Sequence, residues 1–236
     1  MKSLTSMLIL AAATIAGACA ATRESVPDPN ELTEGERADG WKLLFDGRTT
    51  RGWRGYRSTE MPAGWQVVDG ALTRVAEAGD IVTEEEFGEF DLAFEWQVAP
   101  GGNSGVMFHV TEDHEYAWQT GPEYQVLDDA GHRDGADPLT SAGANYAMHA
   151  AERGVVRPAG EWNQALLRVS GTRVEHWLNG KKLLEYDLWS PDWRRRVEAS
   201  KWREHPDYGM REAGRIALQD HGDRVAFRAL RIRVLD

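Results

Sequence analysis

The sequence predicts an all-β sandwich of jelly-roll type carrying one short helix. Short apolar runs that alternate with period two fill most of the chain, and helical periodicity is scarce. Gly and Asn/Asp turn signals separate the runs; Asn179-Gly180 and Asp69-Gly70 have the composition of two-residue hairpin turns. Many short strands in one unit of this size bury their apolar faces best as two stacked sheets.

Two segments of another kind precede the strands. Lys2, the apolar run from Met7 to Ala13 and the small residues Ala16-Gly17-Ala18 read as an export signal over residues 1–18. The run is too short to stay in a bilayer as a spanning helix. Cys19, the single cysteine of the chain, follows directly. Ile15-Ala16-Gly17-Ala18-Cys19 resembles a bacterial lipobox with Ala16 where Leu is usual. Cys19 is therefore the expected lipidation site, with ordinary cleavage after Ala18 as the alternative. Either outcome exports the chain, to the periplasm or as a lipoprotein on a membrane of a bacterial envelope, touching the membrane only through that anchor. A lone cysteine allows no internal disulfide. Residues 19–40, polar and containing Pro27 and Pro29, read as a flexible tether. Residues 41–236 are the expected folded domain.

Within that domain, alternation and turn residues mark strands at Trp41–Phe45, Trp65–Val68, Ala71–Arg74, Ile81–Thr83, Phe90–Val98 and Ser104–Val110. Further strands are expected at Tyr124–Leu127, Asn163–Ser170, Arg173–Leu178, Lys181–Tyr186, Gly214–Gln219 and Val225–Leu235. The helix is expected at Pro191–Glu204, with Ser190 as N-cap and Pro191 at its first position. The formal net charge of −11 argues against a nucleic-acid partner, which needs a basic surface. Ten tryptophans are many for this length; most are expected in the core, while exposed rings stack well on sugar C–H faces.

Alternation also sorts faces. Phe90, Leu92, Phe94 and Trp96 share one side of their strand and leave Glu95 opposite. Val106, Phe108 and Val110 leave Met107 and His109 opposite. Tyr124 and Val126 leave Glu123 and Gln125, and Ile216 and Leu218 leave Gln219, with His221 just beyond. In Arg173–Leu178 the orientation stays open. If these strands are neighbours, Glu95, His109, Glu123, Gln125, Gln219 and His221 form one polar, titratable surface. A solvated outer face is the plain alternative, but the amides Asn103, Gln125 and Gln219, set among Gly and apolar residues, argue for a site. The run Gly214-Arg215-Ile216-Ala217-Leu218-Gln219-Asp220-His221-Gly222 carries the densest chemistry, where a strand meets a loop.

No nucleophile elbow, phosphate-binding loop or zinc-protease motif is present. Asp128 and Asp129, with His132, Asp134 and Asp137, crowd a Gly-rich loop and make a candidate site for a divalent ion such as calcium. Their spacing fits no EF-hand, and an acidic solvated loop is the alternative. No other cofactor is expected.

With these residues in hand, the chain resembles the 3-keto-disaccharide hydrolase domain family from Trp41 to its end. The resemblance rests on Leu44-Phe45-Asp46-Gly47 with Gly52-Trp53, Asn103-Ser104-Gly105-Val106 and Gly121-Pro122-Glu123-Tyr124-Gln125-Val126-Leu127-Asp128. It continues through Gly160-Glu161-Trp162-Asn163, His176-Trp177-Leu178-Asn179-Gly180 and Ile216-Ala217-Leu218-Gln219-Asp220-His221-Gly222. Ala229 stands where the family usually has Asn. The resemblance implies a concanavalin A-like jelly roll, related in fold to laminarinase-type glycosidases, and a small carbohydrate as substrate. It also implies cleavage of 3-keto disaccharides or other 3-keto glycosides. Those glycosidases carry E-x-D-x-E on one strand; here Glu123-x-Gln125 stands in its place. A C3 ketone acidifies the C2 hydrogen, so a base, an oxyanion partner and departure of the C1 substituent suffice, followed by hydration. His221 is the first candidate base, His109 the second, and Glu123 either a base or an orienting group. Asn103, Gln125 and Gln219 are expected to bind hydroxyls or the oxyanion, Trp118 to stack on a sugar, and Glu95 and Asp220 to contact substrate. Two alternatives stand: a non-catalytic carbohydrate-binding module, and a conventional two-carboxylate hydrolase using Glu95 and Glu123 or Asp220.

Overall fold

The computed structural model describes residues 28–235. The export signal and the lipidation site Cys19 lie outside the described residues. Among them, the strands are β1 Lys42–Leu43, β2 Trp53–Gly55, β3 Trp65–Val68, β4 Ala71–Arg74, β5 Ile81–Thr83, β6 Phe90–Val98 and β7 Asn103–Val110. They continue with β8 Glu123–Leu127, β9 Asn163–Ser170, β10 Arg173–Leu178, β11 Lys181–Asp187, β12 Arg215–Leu218 and β13 Val225–Val234. The larger sheet runs β11-β10-β9-β6-β13-β4-β3, with β1 also on β13; the smaller runs β2-β5-β12-β7-β8. Every pairing is antiparallel. The fold is an all-β sandwich, as the alternation predicts. The Asp69-Gly70 and Asn179-Gly180 turns take positive φ at both residues (51° and 75°, 48° and 82°), the geometry that matches the strand twist.

The core lies between the sheets. Phe90, Leu92, Phe94 and Trp96 of β6 are buried with Val106 and Phe108 of β7 and Tyr124 and Val126 of β8. Phe94 meets Tyr124 edge-on across the gap, with ring centres 5.5 Å apart. Each such side chain contributes about 1.5–3 kcal/mol on burial. The open question at β10 resolves inward: Val174, His176 and Leu178 are buried. His176 Nδ1 donates to the Gly143 carbonyl at 2.9 Å, and burial holds its pKa down at about 3, so it stays neutral.

Three differences from the sequence reading have physical causes. β2, absent from that reading, is short; it forms where Trp53 is buried and its Nε1 donates to the Leu44 carbonyl at 2.7 Å. The helix stops earlier, as α1 Glu34–Ala38 precedes the strands and α2 spans Pro191–Ala199 with Ser190 capping the Trp193 N–H. Ser200 then turns extended (φ −112°, ψ −179°) and its hydroxyl caps a separate 3-10 turn at Lys201–Glu204. Finally, residues 28–40 are not a free tether. Thr33 and Glu36 form a capping box on α1, and Arg231 of β13 holds Glu36 and donates to the Pro29 carbonyl.

Asn30 anchors this docking. Its Nδ2 donates to the Gly70 carbonyl and its Oδ1 accepts from the Ala229 N–H, both at 2.9 Å. That bond sits on a bulge: the β13–β6 register shifts between Arg228 and Arg231, and Ala229 has φ +54°. A left-handed backbone costs an alanine roughly 1–2 kcal/mol, and Asn tolerates it better. Ala229 lines a surface groove. Ala229→Asn is therefore expected to stabilise the fold by up to about 1 kcal/mol, read from the denaturation midpoint; an unchanged or lower midpoint would contradict this account of the bulge.

Candidate active site

The site is assembled on the smaller sheet. In the β7–β8 register, Gly105 lies opposite Gln125 and Met107 opposite Glu123. Alternation turns Tyr124 and Val126 into the core and leaves Glu123 and Gln125 on the outer face. From β12, Gln219 N donates to the Gly105 carbonyl at 3.0 Å, which places the end of that strand beside the same spot. Asn103, Trp118, Glu123, Gln125, Gln219 and His221 line one cavity of about 150 Å³, together with Tyr146, Lys201 and Trp202. Six of the residues expected from the sequence thus converge.

The cavity is closed over because the outer face of the smaller sheet is roofed. Lys201 and Trp202 come from the 3-10 turn after α2, and Tyr146 from the long loop after β8. A ladder of rings fixes the roof: Trp202 stacks on Tyr208 (4.1 Å, 5°), Tyr208 on Trp193 (5.8 Å, 3°), and Trp193 on Tyr186 (5.7 Å, 18°). Trp118 packs edge-on to His205 at 4.8 Å. The Lys201 ammonium lies 4.5 Å from the ring centres of both Tyr146 and Trp202, a cation held between aromatic faces.

Electrostatics single out Glu123. Burial pushes its pKa up to about 8; the Lys201 cation works against this, and Asp80 and Asp134 add to it. Burial likewise lowers the Lys201 ammonium, against the pull of Glu123 and Asp134. The carboxyl fits only because residue 105 is glycine: a Cβ there would stand 2.1 Å from Glu123 Oε1. Three cavity amides have a side-chain oxygen without a partner in the protein, among the described residues: Asn103 Oδ1, Gln125 Oε1 and Gln219 Oε1. Gln125 Nε2 donates to the Thr140 carbonyl at 3.2 Å, which leaves its oxygen to accept from a ligand. Buried orphans of this kind, on the wall of one cavity, mark a polar ligand's seat.

Other expected residues lie elsewhere. His109 is not in the cavity. It sits on a bulge with φ +54°, and the reversal turns it into the core against Phe108, while Val110 takes the outer side. Its Nε2 donates to the Gly88 carbonyl at 2.8 Å, and burial lowers its pKa. Glu95 is on β6, in the larger sheet, where Arg228 and Gln164 hold it. Asp220 faces away from the cavity and accepts from Arg74 Nε and from the N–H groups of Ala78, Gly79 and Gly222. Burial works to raise its carboxyl, but those donors prevail and hold it low. The loop carboxylates Asp128 and Asp129 take hydrogen bonds from backbone donors. Asp128 accepts from the Gly101 and Ala130 N–H groups and Asp129 from Ala142, and among the described residues no three His, Cys, Asp or Glu side chains group as a cation needs.

Sequence reasoning missed Lys201, Tyr146 and Trp202. The sequence signal for two of them is Lys201-Trp202, a lysine beside a large ring a few residues after the arginine run Arg194–Arg196.

Known proteins resemble this chain in sequence and fold. Residues 40–233 match the sequence profile of the 3-keto-alpha-glucoside-1,2-lyase-like domain. A 3-keto-disaccharide hydrolase of Bacteroides thetaiotaomicron is 35% identical over 231 residues, covering 84% of this chain and 80% of that protein. A crystal structure of a candidate glycosyl hydrolase from Parabacteroides distasonis superposes with TM-score 0.82 at 38% identity, over 88% of this chain and 99% of the other. A second from the same organism gives 0.67 at 29%, over 83% and 99%.

The raised Glu123 carboxyl has a consequence for stability. The folded chain holds this proton more tightly than the unfolded one, so stability is full below the ordinary value of 4.5 and falls as pH rises toward about 8. Glu123→Gln removes the titration. Its melting temperature is expected to exceed that of the parent by a margin that widens between pH 5 and 8; a margin independent of pH would remove Glu123 as the group responsible.

Proposed function

The chain belongs to the family of 3-keto-alpha-glucoside-1,2-lyase-like domains, and from that membership we propose that it cleaves the glycosidic bond of 3-keto disaccharides by elimination and hydration. The observation that carries this reading is the cavity in which a proton-holding carboxyl, a cation and three unpaired amide oxygens surround one small volume.

The steps follow from charge and position. His221, exposed at the cavity mouth, takes the proton from C2 of the oxidised ring. The C2–H electron pair moves into an enolate, whose charge rests on the C3 oxygen. Lys201, partly desolvated between Tyr146 and Trp202 on the cavity wall, is the cation placed to stabilise that oxygen. The enolate then collapses, the C1–O bond breaks, and the departing oxygen takes a proton from Glu123, which holds one up to about pH 8. The product is a 1,2-unsaturated ketone and a free sugar. Water then adds across the double bond: its hydroxyl bonds to C1 as Glu123 takes a proton back from it, and His221 returns its proton to C2. Asn103, Gln125 and Gln219 accept ring hydroxyls and Trp118 packs on the ring.

A two-carboxylate hydrolysis is less well supported. Glu95 lies on the other sheet and Asp220 is held by Arg74 and three N–H groups, so neither joins Glu123 in the cavity.

Two measurements test the reading. His221→Ala is expected to lower kcat/KM on a 3-keto disaccharide by about 10²–10⁴-fold with the fold intact, and the matched unoxidised disaccharide is expected to yield no product; near-normal turnover by the variant, or equal cleavage of the unoxidised sugar, would overturn the assignment. In the parent enzyme, the alkaline limb of kcat/KM is expected to fall near pH 8 as Glu123 loses its proton. A rate that rises through that range would instead make Glu123 the base.

A further inference from the structure

A hollow of about 700 Å³ opens beside the cavity, with Tyr56, Met61, Asp80, Tyr116 and Asp220 among its lining residues. Two connections join the hollow to the cavity. The Asp220 N–H donates to Asp80 Oδ1 at 2.9 Å, and Asp220 is flanked by Gln219 and His221, both of which line the cavity. Tyr116, on the hollow, stacks on Trp118, on the cavity, with ring centres 5.6 Å apart and planes 9° from parallel. An aromatic seam therefore runs from one space into the other.

Size decides what each space holds. Clefts that bind a small-molecule ligand measure about 300–1,000 Å³, so the 150 Å³ cavity is too small for a two-ring substrate while the hollow beside it is ample. Resting on the function proposed above, we propose that the hollow receives the leaving sugar, with Tyr116 as its stacking platform and Asp80 accepting its hydroxyls. Tyr116 is 48% exposed, unusual for a ring this large, and nothing in the core requires it there. Asp80 offers Oδ2, since Oδ1 is occupied by the Asp220 N–H. Burial pushes the Asp80 carboxyl up to about 6, the Asp220 N–H opposing and the Asp220 charge adding, so near neutral pH it is mostly ionised and an acceptor. The lining includes Glu60, Asp80, Glu115 and Asp220 and no Lys or Arg. This charge selects a neutral leaving sugar over one bearing a carboxylate or phosphate.

The test compares two substrates and two variants. Asp80→Asn keeps the oxygen that Asp220 N–H needs, and Tyr116→Ala changes an exposed ring, so both variants retain the fold. Each is expected to raise KM for a 3-keto disaccharide at least tenfold. The loss should vanish on methyl 3-keto-glucoside, whose leaving group does not reach the hollow. Equal losses on both substrates, or none on the disaccharide, would overturn the assignment. Calorimetric titration with free glucose supplies a readout independent of turnover. Binding to the parent that both variants lose supports the hollow as a sugar seat, and binding unchanged in the variants, or absent from the parent, refutes it. A parent enzyme inactive on both 3-keto substrates refutes the proposed reaction instead, and leaves the titration to decide the hollow.

Discussion

The site depends on keeping one carboxyl group out of water. Two opposing forces act on Glu123: desolvation favours the neutral acid, and the nearby Lys201 cation favours the anion. Had the cation won, the pair would be an ordinary salt bridge with a low carboxyl pKa and no proton to give. Burial wins, and the group keeps its proton into the neutral range. Gly105 is the sequence-level condition for that outcome, since any side chain there would occupy the seat of the carboxyl. The arrangement costs folding free energy above pH 4.5 and supplies an acid at neutral pH, the usual exchange of stability for chemistry at a functional site.

Desolvation in turn depends on the roof. The outer face of an antiparallel sheet normally meets water, and without a cover Glu123 would be a surface carboxylate. The cover is a short helix, a 3-10 turn and a loop, elements with little intrinsic stability of their own. Stacked rings tie them down. The ladder from Trp202 through Tyr208 and Trp193 reaches Tyr186, which belongs to β11 at the edge of the larger sheet. His149 extends it, 4.3 Å from Tyr186, with its pKa pushed down to about 4 by burial, so the stack carries no charge near neutral pH. Trp202 of this ladder, with Tyr146, also holds Lys201, so the roof both excludes water and supplies the cation.

Much of this was legible in the sequence, for a local reason. Period-two alternation fixes which side of a strand a residue takes, and it put Glu123, Gln125 and Gln219 together on the correct face. It fails where the backbone departs from the pleat: at His109, a positive φ reverses the side, and no composition signal announces it. Alternation is also silent about which strands are neighbours, so by itself it groups Glu95 with residues of the other sheet. Asp220 deceived for another reason. Its position beside Gln219 and His221 looked chemical, yet the chain turns there and the side chain caps N–H groups on the opposite side. The cover was the least legible part, because Lys201 reaches the cavity only through the break at Ser200, and a continuous helix was the simpler reading of that stretch.

The fate of the other carboxylates bears on the chemistry. Hydrolysis of an unactivated glycoside needs two carboxyl groups across one bond, because its oxocarbenium-like transition state must be both formed and quenched. Here the carboxyl in the cavity faces an ammonium and three amide oxygens, and Glu95 and Asp220 are committed to arginines and backbone N–H groups elsewhere. A protonated acid at neutral pH makes a poor nucleophile but a good proton donor, and a lone cation is more useful to an enolate than to a positive sugar ring. Both preferences favour a substrate that develops negative charge as its bond breaks. A ketone next to the C–H bond that opens the reaction gives that polarity, and an unoxidised sugar does not.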